Sequence, residues 1–225
     1  MIVQALALTL RLAVVVSFLL LLISLPLAYW LAFSRWRGKF LAEAVVSLPI
    51  VLPPTVLGFY LLVALGPASP IGRGYQALTG HGLAFTFTGL VIGSVIYSLP
   101  FSVQPMTTAF ASVDRELLDA SAILGASRWR TFWRVILPLS FSGVLTGFVL
   151  SFAHTLGEFG VVLMIGGNIP GATQTVSILI YDQVQALNYS LANITALLLL
   201  ALCLVLLTLL YALRRYNRWS LWEWH

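Results

Sequence analysis

The chain has 225 residues, of which 60% are hydrophobic and 8% charged, against about a quarter charged in an ordinary soluble domain. That composition is a membrane protein's, and no segment outside the apolar runs is long enough to bury a core of its own, so one membrane domain is expected over residues 1–225. The pI near 9.7 does not make a nucleic-acid surface: the twelve basic residues sit at the ends of apolar runs, where they read as topology signals. Cys203 is the sole cysteine, which leaves no intrachain disulfide and no multi-cysteine metal site, and no metal or other cofactor is expected.

In chain order, Leu6–Phe33 is long enough to span the ~30 Å hydrocarbon layer, with Pro26 expected to kink it or mark its end. No Lys or Arg precedes Arg11 and no small-residue cleavage pattern follows the run, so it reads as a retained anchor. A short basic loop, Ser34-Arg35-Trp36-Arg37-Gly38-Lys39, leads to a second span at Ala44–Leu65. Within it, Pro49, Pro53 and Pro54 fall in six residues and cannot continue an ordinary helix. Broken backbone at membrane depth survives only against protein or a wet cavity, so this segment faces inward. Gly66–Gly82 reads as a connection and Leu83–Phe110 as the third span. A polar island follows from Asp114 to Pro138, then Phe132–Ile165, which crosses once and bends near Gly157-Glu158-Phe159-Gly160. A polar, Gly-rich stretch, Gly166–Ser190, precedes a last span at Leu191–Leu213.

The island holds four of the twelve basic and three of the seven acidic residues. Arg115–Leu124 reads as a short amphipathic helix with Leu117, Leu118, Ala120, Ser121 and Leu124 on its less polar side. Gly125 permits the turn that ends it, and Ser127 is placed to cap the next helix. With five crossings, the first loop, the island and the tail (Arg214, Arg215, Arg218) share one side and carry ten of the twelve basic residues. The positive-inside rule makes that side cytoplasmic, with the amino terminus outside and the carboxy terminus inside. A sixth crossing around 158–180 would move the tail's arginines out, so the charges favour five. Most of the tryptophans (Trp30, Trp36, Trp129, Trp133, Trp219, Trp222, Trp224) flank span ends as interface anchors.

Asp119-Ala120-Ser121, three residues, Gly125, nine residues, then Val135-Ile136-Leu137-Pro138 resembles the cytoplasmic EAA signature of ABC importer permeases. It departs by Asp for Glu, Ser for the second Ala and Val for Ile, with the spacing kept. Ser47–Gly58, Thr155-Leu156-Gly157-Glu158-Phe159-Gly160 and Gly166–Gly171 with Thr173-Gln174-Thr175 are similar to the molybdate and sulfate/tungstate permeases, and the short chain favours the molybdate ones. The resemblance implies an all-α helical bundle of the type I ABC importer permease kind in the bacterial inner membrane, with about five transmembrane helices (six possible). It also implies a cytoplasmic coupling helix within residues 114–134, assigned to Asp119, Ala120, Ser121, Gly125, Ala126 and a Leu137-Pro138 hinge. The partners it implies are two copies of an ABC ATPase subunit, an extracytoplasmic oxyanion-binding protein, a second copy of this chain, and lipid. The chain carries no Gly-x-x-x-x-Gly-Lys-Ser/Thr loop, so it reads as a translocation subunit and not an enzyme.

Pathway or gate candidates are Pro53, Pro54, Thr55, His154, Gly157, Glu158 and Gly160. Thr55 offers a hydroxyl beside broken backbone. Glu158 is a carboxylate near the membrane, where a charge costs about 2.5–3.5 kcal/mol on insertion scales. As a ligand it would repel an anionic cargo, so it is expected to accept hydrogen bonds that hold the Gly157–Gly160 bend, or to pair with His154 one turn earlier. His154 reads as a satisfied interior histidine. No Lys or Arg falls at the expected core of any span, so a fixed anion site there is absent. A sulfate or tungstate permease, a passive channel and a membrane enzyme are the alternatives.

Overall fold

A computed structural model describes residues 1–219, and every regular element among them is helical. α1 (Ile2–Phe33) contains Pro26 but neither ends nor breaks there. One proline removes one hydrogen bond, and buried Leu20, Ser24, Ala28 and Leu31 tie both sides of it to the bundle. The next prolines act differently. α2 (Lys39–Val51) and α3 (Pro54–Leu65) meet at 111°, with Leu52 and Pro53 extended at ψ 137° and 133°. Each of these residues precedes a proline, which disfavours the helical region for it.

α5 (Phe87–Ala111) begins four residues later than the hydropathy of Leu83–Phe110 suggests, because Thr86 caps it by accepting from the Gly89 N–H at 3.2 Å. α5 runs in the same direction as α1. The Arg11 guanidinium lies 4.6 Å from the Phe87 ring at one end, and Ala28 and Leu31 share a buried cluster with Met106 and Phe110 at the other. The loop after α1 and the island after α5 therefore lie on one side of the bundle.

α9 (Phe141–Gly157) returns against α5. Its approach is close, since a Cβ at Gly147 would stand 2.6 Å from the Ser102 carbonyl oxygen. The 17 residues of α9 rise about 26 Å, short of the ~30 Å layer. After a break at Glu158-Phe159, α10 (Gly160–Gly166) completes the return, and the Phe85 N–H donates to the Ile165 carbonyl at 2.9 Å.

Two helices lie where the sequence reads as connection. α4 (Pro70–Thr79) sits inside Gly66–Gly82, with Ser69 accepting from the Gly72 N–H at 2.8 Å as its cap. α11 (Val176–Gln185) sits inside Gly166–Ser190, and the Val176 N–H donates to Thr9 Oγ1 at 3.0 Å. Both are ten residues long, shorter than the window over which a helical period is read from sequence. α12 (Tyr189–Trp219) packs on α9 and α11. Among the described residues, three helices are long and apolar enough to cross a membrane uninterrupted, and the count reaches up to five when each of two bent pairs is taken as one span. The side chain of Trp30 is 39% exposed and that of Trp36 57%, as lipid-interface residues should be; Trp222 and Trp224 lie outside the described residues.

Candidate functional site

The island folds as the sequence indicates. α6 (Arg115–Ile123) starts at Asp114, whose carboxylate accepts from the Glu116 N–H at 3.0 Å. It ends in a Schellman turn: the Gly125 N–H donates to the Ala122 carbonyl and the Ala126 N–H to the Ser121 carbonyl, both at 3.0 Å. Gly125 holds φ +73°, the left-handed region where a Cβ is unfavourable. Ser127 caps the one-turn α7 (Arg128–Thr131) through the Arg130 N–H at 3.3 Å, and the Ser121 and Thr131 hydroxyls join the two arms at 2.7 Å.

The inward face differs from the amphipathic reading. Leu118 and Ser121 turn toward the bundle, whereas Leu117 is 46% and Leu124 85% exposed, alongside Ile123 at 85%. Asp119, Ala120 and Gly125 are exposed as well. The tip of the most polar segment thus offers water a small apolar patch. Phe132–Ile136 is a π turn, closed by the Leu137 N–H on the Phe132 carbonyl. It leads into α8 (Leu137–Leu139), where Pro138 has no N–H to donate and its ring crowds an ordinary helical turn behind it. The helix then bends by 73° into α9. The proline at 138 was visible in the sequence; the wider turn was not.

The second region lies mid-bundle, where the break at Glu158-Phe159 meets the break at Pro53-Pro54. A Cβ at Gly160 would stand 2.8 Å from Pro54 Cβ, so only glycine permits the approach. Pro54, Thr55, His154, Gly157, Glu158 and Gly160 line one cavity of about 510 Å3, with Tyr97 added from α5. Pro53 sits at the break, outside the lining.

Glu158 is 3% exposed. Its Oε2 accepts from the Ser94 hydroxyl and its Oε1 from the Ser98 hydroxyl at 2.6 Å. His154 Nδ1 lies 3.5 Å from Oε1 and 2.9 Å from Ser98 Oγ. The imidazole stacks on Phe101 at 4.0 Å and leans on Tyr97 at 4.7 Å. The carboxylate therefore pins the break to α5, beyond bracing its own bend or pairing with His154. Several buried hydroxyls of the bundle close onto their own helix, Thr9 on the Ala5 carbonyl at 2.8 Å and Ser17 on Ala13 at 2.7 Å, and Ser140 reaches only a backbone carbonyl, that of Ala109 at 3.0 Å. Ser94 and Ser98 instead reach across to a side chain of another segment.

Sequence reasoning passed over Ser94, Tyr97, Ser98 and Phe101. The available signal was their i, i+3, i+4 and i+7 spacing on one face of α5. It also passed over Asp182, which accepts from Asn168 Nδ2 at 2.6 Å and Gln174 Nε2 at 3.0 Å and so ties the loop after α10 to α11. No cluster of three or more metal-ligating side chains occurs among the described residues.

A helical bundle with broken crossings and a projecting polar helix pair describes a class of membrane translocation subunit. The chain belongs to the family described as "Binding-protein-dependent transport system inner membrane component", whose profile matches residues 24–218. Within it, the chain is 50% identical over 213 residues to the molybdenum transport system permease protein ModB of Azotobacter vinelandii, covering 95% of this chain and 94% of that one. The ModB protein of Escherichia coli K12 is 39% identical over 81% of this chain and 80% of its own length. A sulfate transport system permease protein CysT of Synechocystis is 32% identical over 85% of this chain but 66% of its own. The fold is that of ABC importer permeases. A bacterial ABC transporter that imports alginate superposes with a TM-score of 0.78 at 17% identity, covering 95% of this chain and 79% of that one. The MetNI methionine transporter gives 0.73 at 16%, covering 96% and 95%.

Proposed function

We propose that this chain is the translocation subunit of an ATP-driven molybdate importer. The observation that carries the substrate is coverage. The molybdenum permease of A. vinelandii matches over nearly the whole of both chains, whereas the sulfate permease is matched over 66% of its length. On this reading residues 1–225 form one membrane domain, two copies build the pathway, and an extracytoplasmic binding protein delivers the oxyanion. The amino terminus lies outside and the island in the cytoplasm, where two ATPase subunits dock on Asp119, Ala120, Ser121, Gly125 and Ala126 and move α9 through the Leu137-Pro138 segment. The exposed apolar pair Ile123 and Leu124 beside that motif supports a protein partner there. The gate is placed at Pro53–Thr55 and Gly157–Gly160, where the two breaks touch.

The test is ATP-dependent uptake by the assembled complex in proteoliposomes, with molybdate, tungstate and sulfate in competition. Molybdate uptake that a large sulfate excess leaves intact is the expected result. Preferred sulfate uptake would keep the mechanism and change the cargo, and uptake without ATP would leave a channel.

A further inference from the structure

We infer that His154 is the group that meets the passing oxyanion, and that it does so only when protonated on both ring nitrogens, so that one step of transport takes up a proton. The inference rests on the importer reading above and comes from counting hydrogens in the buried cluster. Ser98 has one hydroxyl hydrogen, and Glu158 Oε1, an acceptor with no hydrogen of its own when ionised, is its nearest partner at 2.6 Å. Ser98 Oγ can then only accept from His154 Nδ1 at 2.9 Å, so Nδ1 carries a proton. Thr155 cannot change this, since its hydroxyl donates to the Ser151 carbonyl at 2.9 Å. The stacking on Phe101 and Tyr97 holds the ring against exchanging its nitrogens.

With Nδ1 committed, the neutral ring leaves Nε2 as a bare lone pair. Nε2 has no hydrogen-bond partner among the described residues, and His154 borders the cavity between the two breaks. A lone pair there repels an oxyanion; an N–H with a net positive ring behind it attracts one. The balance is simple. Neutral His154, one hydronium ion from the cavity and the anion give an imidazolium–anion pair and a water molecule, and departure of the anion returns the proton to water. Glu158 acts as the positioning group behind the ring: its carboxylate accepts from the Ser94 and Ser98 hydroxyls and lies 3.5 Å from Nδ1. By reciprocity, anion binding favours the protonated ring and a proton on the ring favours the anion. The titratable groups that face His154 are Glu158 from the break after α9 and Tyr97 from α5; no other titratable side chain borders the cavity among the described residues.

The experiment is ATP-driven molybdate uptake by the complete complex in proteoliposomes between about pH 6 and pH 8.5, the range in which histidine changes charge, expressed per ATP hydrolysed. Wild type should lose roughly tenfold between the acid and the alkaline end of that range. His154→Gln, which keeps an N–H donor near the Nε2 position at every pH, should transport with a flat profile. His154→Ala should be flat and at least about tenfold lower than wild type at the acid end. A glutamine variant with the wild-type slope overturns the inference, because a merely structural histidine would leave the slope in place. A flat wild-type profile overturns it too, with no variant needing to fold. Absence of any molybdate uptake by wild type overturns the importer reading along with it, whereas uptake with a flat profile leaves that reading standing.

Discussion

The two helix breaks that touch at the centre of the bundle are made by different means. The one at Leu52-Pro53 is covalent: two consecutive pyrrolidine rings forbid the helical conformation to the residues before them, whatever surrounds them. The one at Glu158-Phe159 is conditional. Its residues are free to be helical, and it is held by hydroxyls of Ser94 and Ser98 on a different helix. A break of the first kind is a fixed elbow. A break of the second kind opens when its hydrogen bonds are exchanged.

Substitutions should separate them. Gly160→Leu forces a side chain into the 2.8 Å approach to Pro54 and drives the two breaks apart; uptake should disappear while the subunit still inserts and assembles, as read by co-purification of the complex. Glu158→Ala should come next. It orphans two buried hydroxyls at about 1–3 kcal/mol each, less whatever Ser94 and Ser98 recover by turning to their own helix, and should lower the thermal midpoint of the complex and cut uptake by more than tenfold. The covalent elbow should resist single changes. Pro54→Ala alone leaves Pro53 to hold Leu52 extended and should alter uptake by no more than about twofold, whereas Pro53→Ala with Pro54→Ala releases both constraints and should cost much more than the sum of the single variants. Equal effects of the single and double variants would show that the elbow is held by packing and not by proline.

The same contrast explains what could be read from the chain. Features set by a residue's own backbone were legible: the proline elbow, the island with its Ser127 cap and its glycine turn, and the glycine-flanked bend at 157–160. So were the long apolar spans. Features set by a partner across the bundle were not. Ser94 and Ser98 look like ordinary small residues of an apolar helix until Glu158 is placed beside them. Leu117 and Leu124 looked like the inner face of α6, because hydropathy marks a residue as apolar without saying whether the bundle or another subunit covers it. α4 and α11 were hidden by their length, and Asp182 by lying in a stretch that read as loop.

The π turn at Phe132–Ile136 has a mechanical consequence. A rod that joined the island to α9 with uniform α geometry would hand over every displacement unchanged. Deleting one residue here would restore that geometry and swing the island by about 100° about the helix axis, the angle of a single residue step. The linkage thus carries one residue of slack, like a loose coil in an otherwise tight spring, at the point where Pro138 prevents the coil from closing.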